Sequence, residues 1–181
     1  MKRFLDELIN SGKISVDDSQ FARDMLREAY QYAWENSTDD STKNGAVIVK
    51  DQNVISKGTN MFAKRVNITK KRSTPEAERI YQDHSERNAI YNAARMGIPL
   101  EGAQMYSTWI PCPACVNGIL FGGITKVVFH YDSAIKKHKR YWIEQLKGSI
   151  EMMLEAGIEV SVYRGKIGDV EGLYHKKRWE P

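Results

Sequence analysis

His84 and Glu86 flank Ser85, and Cys112 and Cys115 lie in the run Pro111-Cys112-Pro113-Ala114-Cys115. Each half alone is a weak signal. A C-x-x-C pair could be half of a structural zinc site, a redox pair or two buried thiols, and H-x-E occurs by chance. Together they supply three metal ligands, His84, Cys112 and Cys115, and one carboxylate. The chain has only two cysteines, and no further histidine stands beside the motif. Structural zinc sites are closed by four protein ligands, whereas catalytic sites hold three and leave a place for water. Zn²⁺ is therefore the expected cofactor. Glu86, not required as a ligand, is the expected catalytic proton shuttle. A structural zinc site is the plainer alternative, and a redox pair is weaker still.

These groups must be held by something rigid. A helix is expected from near His84 to a C′ glycine at Gly97, and another from about Cys112 to Gly122-Gly123. The ligands then sit at helix starts, whose partial positive charge favours thiolates. Cys112 and Cys115, three apart, share one helical face. Upstream, Asp17, Asp18 and Ser19 offer N-caps for a helix running to about Asn36, with Phe21, Met25, Ala29 and Ala33 on one face. Strands are expected at 46–50 and 54–56, joined as a hairpin through Asp51-Gln52-Asn53, and at 104–108, 126–130 and 158–163. The 134–156 stretch reads as helical, with a break at Gly148. Residues 61–83 have no period and carry Lys64, Arg65, Lys70, Lys71 and Arg72, a basic loop with room for a short helix after Pro75. The order α, β, β, α, β, α, β, α, β makes an α/β chain whose sheet is covered by helices on both faces.

At 181 residues, with 41% hydrophobic and 28% charged, the chain suits a single domain, 1–181, with an N-terminal extension (1–18) and a C-terminal tail (164–181). No stretch approaches bilayer-spanning length, so no membrane partner is expected. Residues 1–10 mix charged and apolar types, unlike a secretory signal, and two cysteines make no disulfide framework; the expected compartment is cytoplasmic. The net charge of +4 is a mild bias toward anionic partners. Lys136-Lys137-His138-Lys139-Arg140 reads as the exposed start of a helix, and His130, His138 and His175 carry no motif.

The H-x-E and P-C-x-x-C pairing is the known signature of zinc deaminases. Over about residues 37–162 the sequence resembles the cytidine and deoxycytidylate deaminase family. Residues 37–49, STDDSTKNGAVIV, look like its SxDxxTxxGAVIV segment, and HSERNAI at 84–90 looks like its HAExNAI helix. The resemblance implies a three-layer α/β/α cytidine-deaminase-like sandwich with a central mixed sheet, and zinc between two helix N-termini. It also implies that Asn60 hydrogen-bonds a nucleoside, that the Ser85 backbone meets the base carbonyl, and that Trp109 and Tyr131 line the pocket. Two positions depart: the family's GYNGxP is Gly58-Thr59-Asn60-Met61-Phe62-Ala63 here, and Ser85 replaces Ala. Thr108-Trp109-Ile110-Pro111-Cys112 is also similar to the SWSPC of polynucleotide cytidine deaminases.

The leading expectation is a nucleotide deaminase acting on deoxycytidylate. The alternative is a deaminase of RNA or single-stranded DNA, disfavoured because Phe62 is the sole aromatic of the basic loop before Tyr81. A non-catalytic zinc scaffold would have no use for Glu86. A homo-oligomer is expected, from the family's habit and from the apolar supply of the helix at 84–97 and of Ile143, Leu146, Ile150, Met153 and Leu154, which could be core or subunit contact.

Overall fold

A computed structural model describes residues 1–74, 77, 80–136 and 140–181. Its strands in chain order are β1 (Ser15–Val16), β2 (Gly45–Lys50), β3 (Asn53–Thr59), β4 (Met61–Phe62), β5 (Gln82–Asp83), β6 (Gln104–Ser107), β7 (Lys126–His130), β8 (Glu159–Tyr163), β9 (Gly172–Tyr174) and β10 (Lys177–Trp179). The helices are α1 (Lys2–Asn10), α2 (Gln20–Asn36), α3 (Ser85–Arg95), α4 (Pro113–Phe121), α5 (Tyr131–Ala134) and α6 (Arg140–Glu155). Six strands form one sheet in the order β1-β8-β7-β6-β2-β3. β2 runs antiparallel to β3 and β6, while β6, β7, β8 and β1 are mutually parallel, so the sheet is mixed.

Alternation along β2 makes the layers. Val47 and Val49 pack with Ala22, Leu26, Ala29 and Tyr30 of α2. Ala46 and Ile48 face the other way, into a cluster with Ala89 and Ala93 of α3, Val116 and Ile119 of α4, and Leu146, Ile150 and Met153 of α6. The result is the expected three-layer sandwich. Two glycines set its closest approaches. A Cβ at Gly58 would overlap the Ser85 carbonyl and the Ala89 N–H, so α3 lies directly on β3; a Cβ at Gly45 would strike the Ala29 carbonyl of α2.

The β2–β3 turn is Asp51-Gln52 alone, with φ of 51° and 62°, the doubly positive pattern that matches strand twist in a two-residue hairpin. Ser19 caps α2, its hydroxyl accepting the Ala22 N–H at 3.1 Å. The buried face of that helix is Ala22, Leu26, Ala29, Tyr30 and Ala33, so Phe21 and Met25 sit at its margin, not its centre.

One expectation is corrected, and the two ends of the chain take a definite form. No break occurs at Gly148: α6 runs unbroken from Arg140 to Glu155, because burial of Leu146, Ile150 and Met153 outweighs the roughly 1 kcal/mol that an interior glycine costs. The 1–18 extension joins the fold, α1 burying Leu5 in the core and β1 pairing with β8 through Ser15↔Ser161 and Val16↔Val162. The 164–181 tail closes with the β9–β10 hairpin, docked on the 41–43 segment by Lys43 N–H to Leu173 O (3.0 Å) and Lys176 N–H to Ser41 O (2.7 Å). Near that tail His130 is buried, accepting from the Tyr30 hydroxyl at Nδ1 (2.9 Å) and donating from Nε2 to Gly165 O (3.1 Å). Lys137, His138 and Lys139, and the start of any helix after Pro75, lie outside the described residues. Among the described residues no helix is long and apolar enough to cross a membrane.

Candidate metal centre and active site

α3 and α4 pack against each other, and each opens on a ligand: His84 is the N-cap residue of α3 and Cys112 that of α4. Both caps are extended, φ −84°, ψ 158° and φ −74°, ψ 166°, and neither spends its side chain on capping. Pro113 at the first helical position sets the turn that follows Cys112. Cys115 is one turn further on the same face. The three donor atoms form a compact triangle: Cys112 Sγ to His84 Nδ1 3.3 Å, Cys115 Sγ to His84 Nδ1 3.6 Å, and Sγ to Sγ 3.5 Å. Tetrahedral zinc, with Zn–S about 2.3 Å and Zn–N about 2.0–2.1 Å, sets neighbouring ligand atoms about 3.6–3.8 Å apart, so the donor set fits. Among the described residues these three make the one group of its kind.

Glu86 lies in the first turn of α3 and is only 4% exposed. Its Oε2 accepts from Ser85 Oγ (3.1 Å) and lies 3.5 Å from Cys115 Sγ, while Oε1 accepts from Ser107 Oγ (3.3 Å). Burial raises its pKa, the Cys112 charge adds to that, and His84 opposes. The Cys112 thiol pKa is lowered, chiefly by its hydrogen bond with Cys115, with burial opposing and His84 helping. Two converging helix N-termini act in the same direction on the thiolate.

Of the remaining sequence-predicted residues, Ser85 touches the centre, its hydroxyl donating to Glu86. Asn60 is buried and holds the 37–44 segment: Nδ2 donates to Thr42 O (2.7 Å) and Asp39 Oδ2 (3.0 Å), and Oδ1 accepts from Asn44 N–H (2.9 Å) and Ser37 Oγ (2.9 Å). Asn88 ties that wall to α3 by accepting the Thr59 N–H at 3.1 Å. Trp109 packs on the margin of the core, its ring 6.3 Å from that of Trp142. Tyr131 donates to Asp6 Oδ1 of α1 at 2.6 Å beneath the guanidinium of Arg164.

Sequence reasoning missed Ser107, the Ser37-Asp39-Thr42 mesh around Asn60, and the small β4–β5 ribbon. That ribbon pairs Met61 with Asp83 and Phe62 with Gln82, so the two ends of the basic loop are pinned beside His84. For Ser37, Asp39 and Thr42 a signal existed: all three lie in the family-like 37–49 segment. Nothing in the pattern marked Ser107.

Comparison with known proteins bears on this geometry. Residues 19–131 match the model of the cytidine and deoxycytidylate deaminase zinc-binding region. An uncharacterized deaminase of Aliivibrio fischeri is 34% identical over 127 residues, covering 69% of this chain and 82% of that protein. The deoxycytidylate deaminase of Enterobacteria phage T4 is 44% identical over 77 residues, covering 42% of this chain and 35% of its own length. The apo dCMP deaminase of cyanophage S-TIM5 superposes with a TM-score of 0.60 at 20% identity, covering 81% of this chain and 99% of that one. At that identity the likeness concerns the fold.

Proposed function

Because this chain belongs to the cytidine and deoxycytidylate deaminase family and is a zinc-dependent deaminase, we propose that its substrate is a cytosine deoxynucleotide, dCMP above all. The products are the uracil nucleotide and ammonia. The observation that carries this reading is the buried Glu86 carboxylate beside Cys115, within a metal triad of three protein ligands. The aligned phage relative named a deoxycytidylate deaminase supports the choice of substrate.

His84, Cys112 and Cys115 would hold the zinc. When bound, the metal supplies Lewis acidity and brings a water's pKa to roughly 7. Glu86 would accept a proton from the water that attacks C4 and pass it to the ring nitrogen, then take the proton of the resulting C4 hydroxyl and give it to the amine; the C4–N bond breaks, the amine leaves as ammonia and the hydroxyl oxygen becomes the carbonyl. A carboxyl whose pKa is raised by burial suits both directions of transfer. Ser85 and Ser107 hold the two carboxylate oxygens in place. Asn60 and the Ser85 backbone border the nucleoside, with Trp109 and Tyr131 further out. Exposed Lys64, Arg65, Lys70 and Lys71 follow the β4–β5 ribbon, within a tether's reach of a 5′-phosphate.

A second reading has one observation of its own. Lys136 lies over the Trp179 ring, and Lys43 and Arg178 flank Trp34, a pairing of rings and cations that single strands use for binding. The deciding experiment is therefore ammonia release compared as kcat/KM for deoxycytidine, dCMP, dCTP and a short single-stranded oligonucleotide. The proposal expects dCMP to lead and the nucleoside to trail far behind. A lead for the oligonucleotide, or equal rates for nucleoside and nucleotide, contradicts it.

The chain also works as a homo-oligomer in this reading, though for a different reason than the sequence offered. Leu146, Ile150 and Met153 are spent in the core, whereas Phe121 of α4 is 93% exposed and Tyr91 of α3 57%. Two free cysteines gathered at the metal site suit a reducing cytoplasm.

A further inference from the structure

The β4–β5 ribbon holds one group that the reading above does not use. Gln82 is 8% exposed, and its carboxamide Nε2 is buried with no hydrogen-bond partner among the described residues. Buried donors without partners are rare in native proteins and mark places where something else completes the bond.

Three features say where that donor points. Gln82, Asp83 and His84 are consecutive and extended: the first two form β5, and His84 has φ −84° and ψ 158°. Side chains alternate along extended chain, so Gln82 and His84 project to one side and Asp83 to the other. Asp83, on the other side, accepts from Arg87 Nε at 2.6 Å. Two residues of strand advance about 6.6 Å, so Gln82 is displaced from the ligand His84 by roughly the breadth of a small ring and its substituents.

The cross-strand neighbour agrees. Phe62 is paired with Gln82 and so shares its face of the ribbon. Phe62 is buried, yet among the described residues it belongs to neither of the two apolar clusters. The Phe62 N–H donates to Thr38 Oγ1 at 3.1 Å, which fastens the ribbon to the 37–44 wall that Asn60 organises.

We propose that Gln82 is a specificity-determining residue whose carboxamide N–H donates to an acceptor oxygen of the bound nucleotide. The assignment rests on the nucleotide-deaminase reading given above. The unliganded protein carries the donor unpaired, and substrate completes it. A ligand lacking the acceptor leaves the donor buried and unsatisfied, which is how a site built for hydrogen bonding discriminates. Two parts of a nucleotide present such an oxygen at this range: the base and sugar together, or the phosphate.

The test uses zinc-loaded Gln82→Met, which keeps length and removes the donor. Measured are zinc content, Tm with and without dUMP, and kcat and KM for dCMP and deoxycytidine. The expected result is full zinc, an unliganded Tm that holds or rises because an orphaned donor is gone, and a kcat/KM for dCMP roughly 10- to 100-fold lower, mainly through KM. The Tm rise on adding dUMP should shrink alongside. A loss shared by dCMP and deoxycytidine assigns the base or sugar oxygen, and a loss confined to dCMP assigns the phosphate; either supports the proposal. Parental kinetics with a parental dUMP shift overturn it, whatever the unliganded Tm does. Should Gln82→Met lose zinc or fail to fold, Gln82→Glu, isosteric and without the donor at neutral pH, carries the same comparison. A parent protein that ignores dCMP but deaminates another nucleotide refutes the substrate reading alone, and the Gln82 ratio is then read on that nucleotide.

Discussion

The wall that holds the metal ligands and the hydrogen-bonded mesh around Asn60 are built over different ranges of sequence. His84 and Glu86 come from the start of one helix, Cys112 and Cys115 from the start of another, and each side chain is aimed by the few residues around it. The mesh is assembled from afar: Asn60 is bonded to Ser37, Asp39, Thr42 and Asn44, and the 41–43 segment is braced by the β9–β10 hairpin. Local construction places chemistry where a single side chain can be exchanged without disturbing the fold. Distributed construction makes recognition and stability share the same bonds.

The largest effect should come from the local wall. Glu86→Gln keeps size and hydrogen bonding but cannot shuttle a proton, so turnover falls by roughly 10²–10⁴-fold while zinc content and Tm hold. Ammonia-release kinetics alongside a melt check this, and near-parental turnover would remove Glu86 from the mechanism. Asn60→Ala breaks the comparison from the other side. It orphans Asp39 Oδ2, Thr42 O and the Asn44 N–H, at a cost of roughly 2–4 kcal/mol. Both Tm and kcat/KM should drop, the former by roughly 5–15 °C. An unchanged Tm would mean the mesh does not depend on this amide. The smallest effect is a control in neither region. A Cβ at Gly148 meets no atom within 4 Å, so Gly148→Ala should stabilise α6 by about 0.5–1 kcal/mol and leave kinetics alone. A fall in Tm would show that the helix needs the glycine after all.

The same division explains what could be read from the sequence. The three ligands and Glu86 were legible because H-x-E and P-C-x-x-C are contiguous, and helix starts followed from periodicity and caps. The β2–β3 hairpin was legible too, although its turn is one residue shorter than Asp51-Gln52-Asn53 suggested. At Gly148 propensity pointed to a break, and buried Leu146, Ile150 and Met153 overrode it. β1 escaped notice because a two-residue strand has no period, and it exists only through β8. The terminal hairpin escaped because its turn uses His175 and Lys176 at φ 49° and 64°, where turn chemistry would look for Asn or Gly. Asn60 was singled out by its register after β3, but its partners were not, since they are brought together by tertiary contacts. Gln82 has no sequence signature: its significance is that of a donor buried without a partner.

The central claim is that three protein ligands, and no more, hold one catalytic zinc beside Glu86. Metal analysis of the purified protein, joined to zinc-edge X-ray absorption on the same sample, tests it most directly. The account requires one zinc per chain bound by one imidazole nitrogen and two sulfurs, with a light, exchangeable fourth ligand. A stoichiometry near zero, or a fourth ligand supplied by the protein, would contradict it.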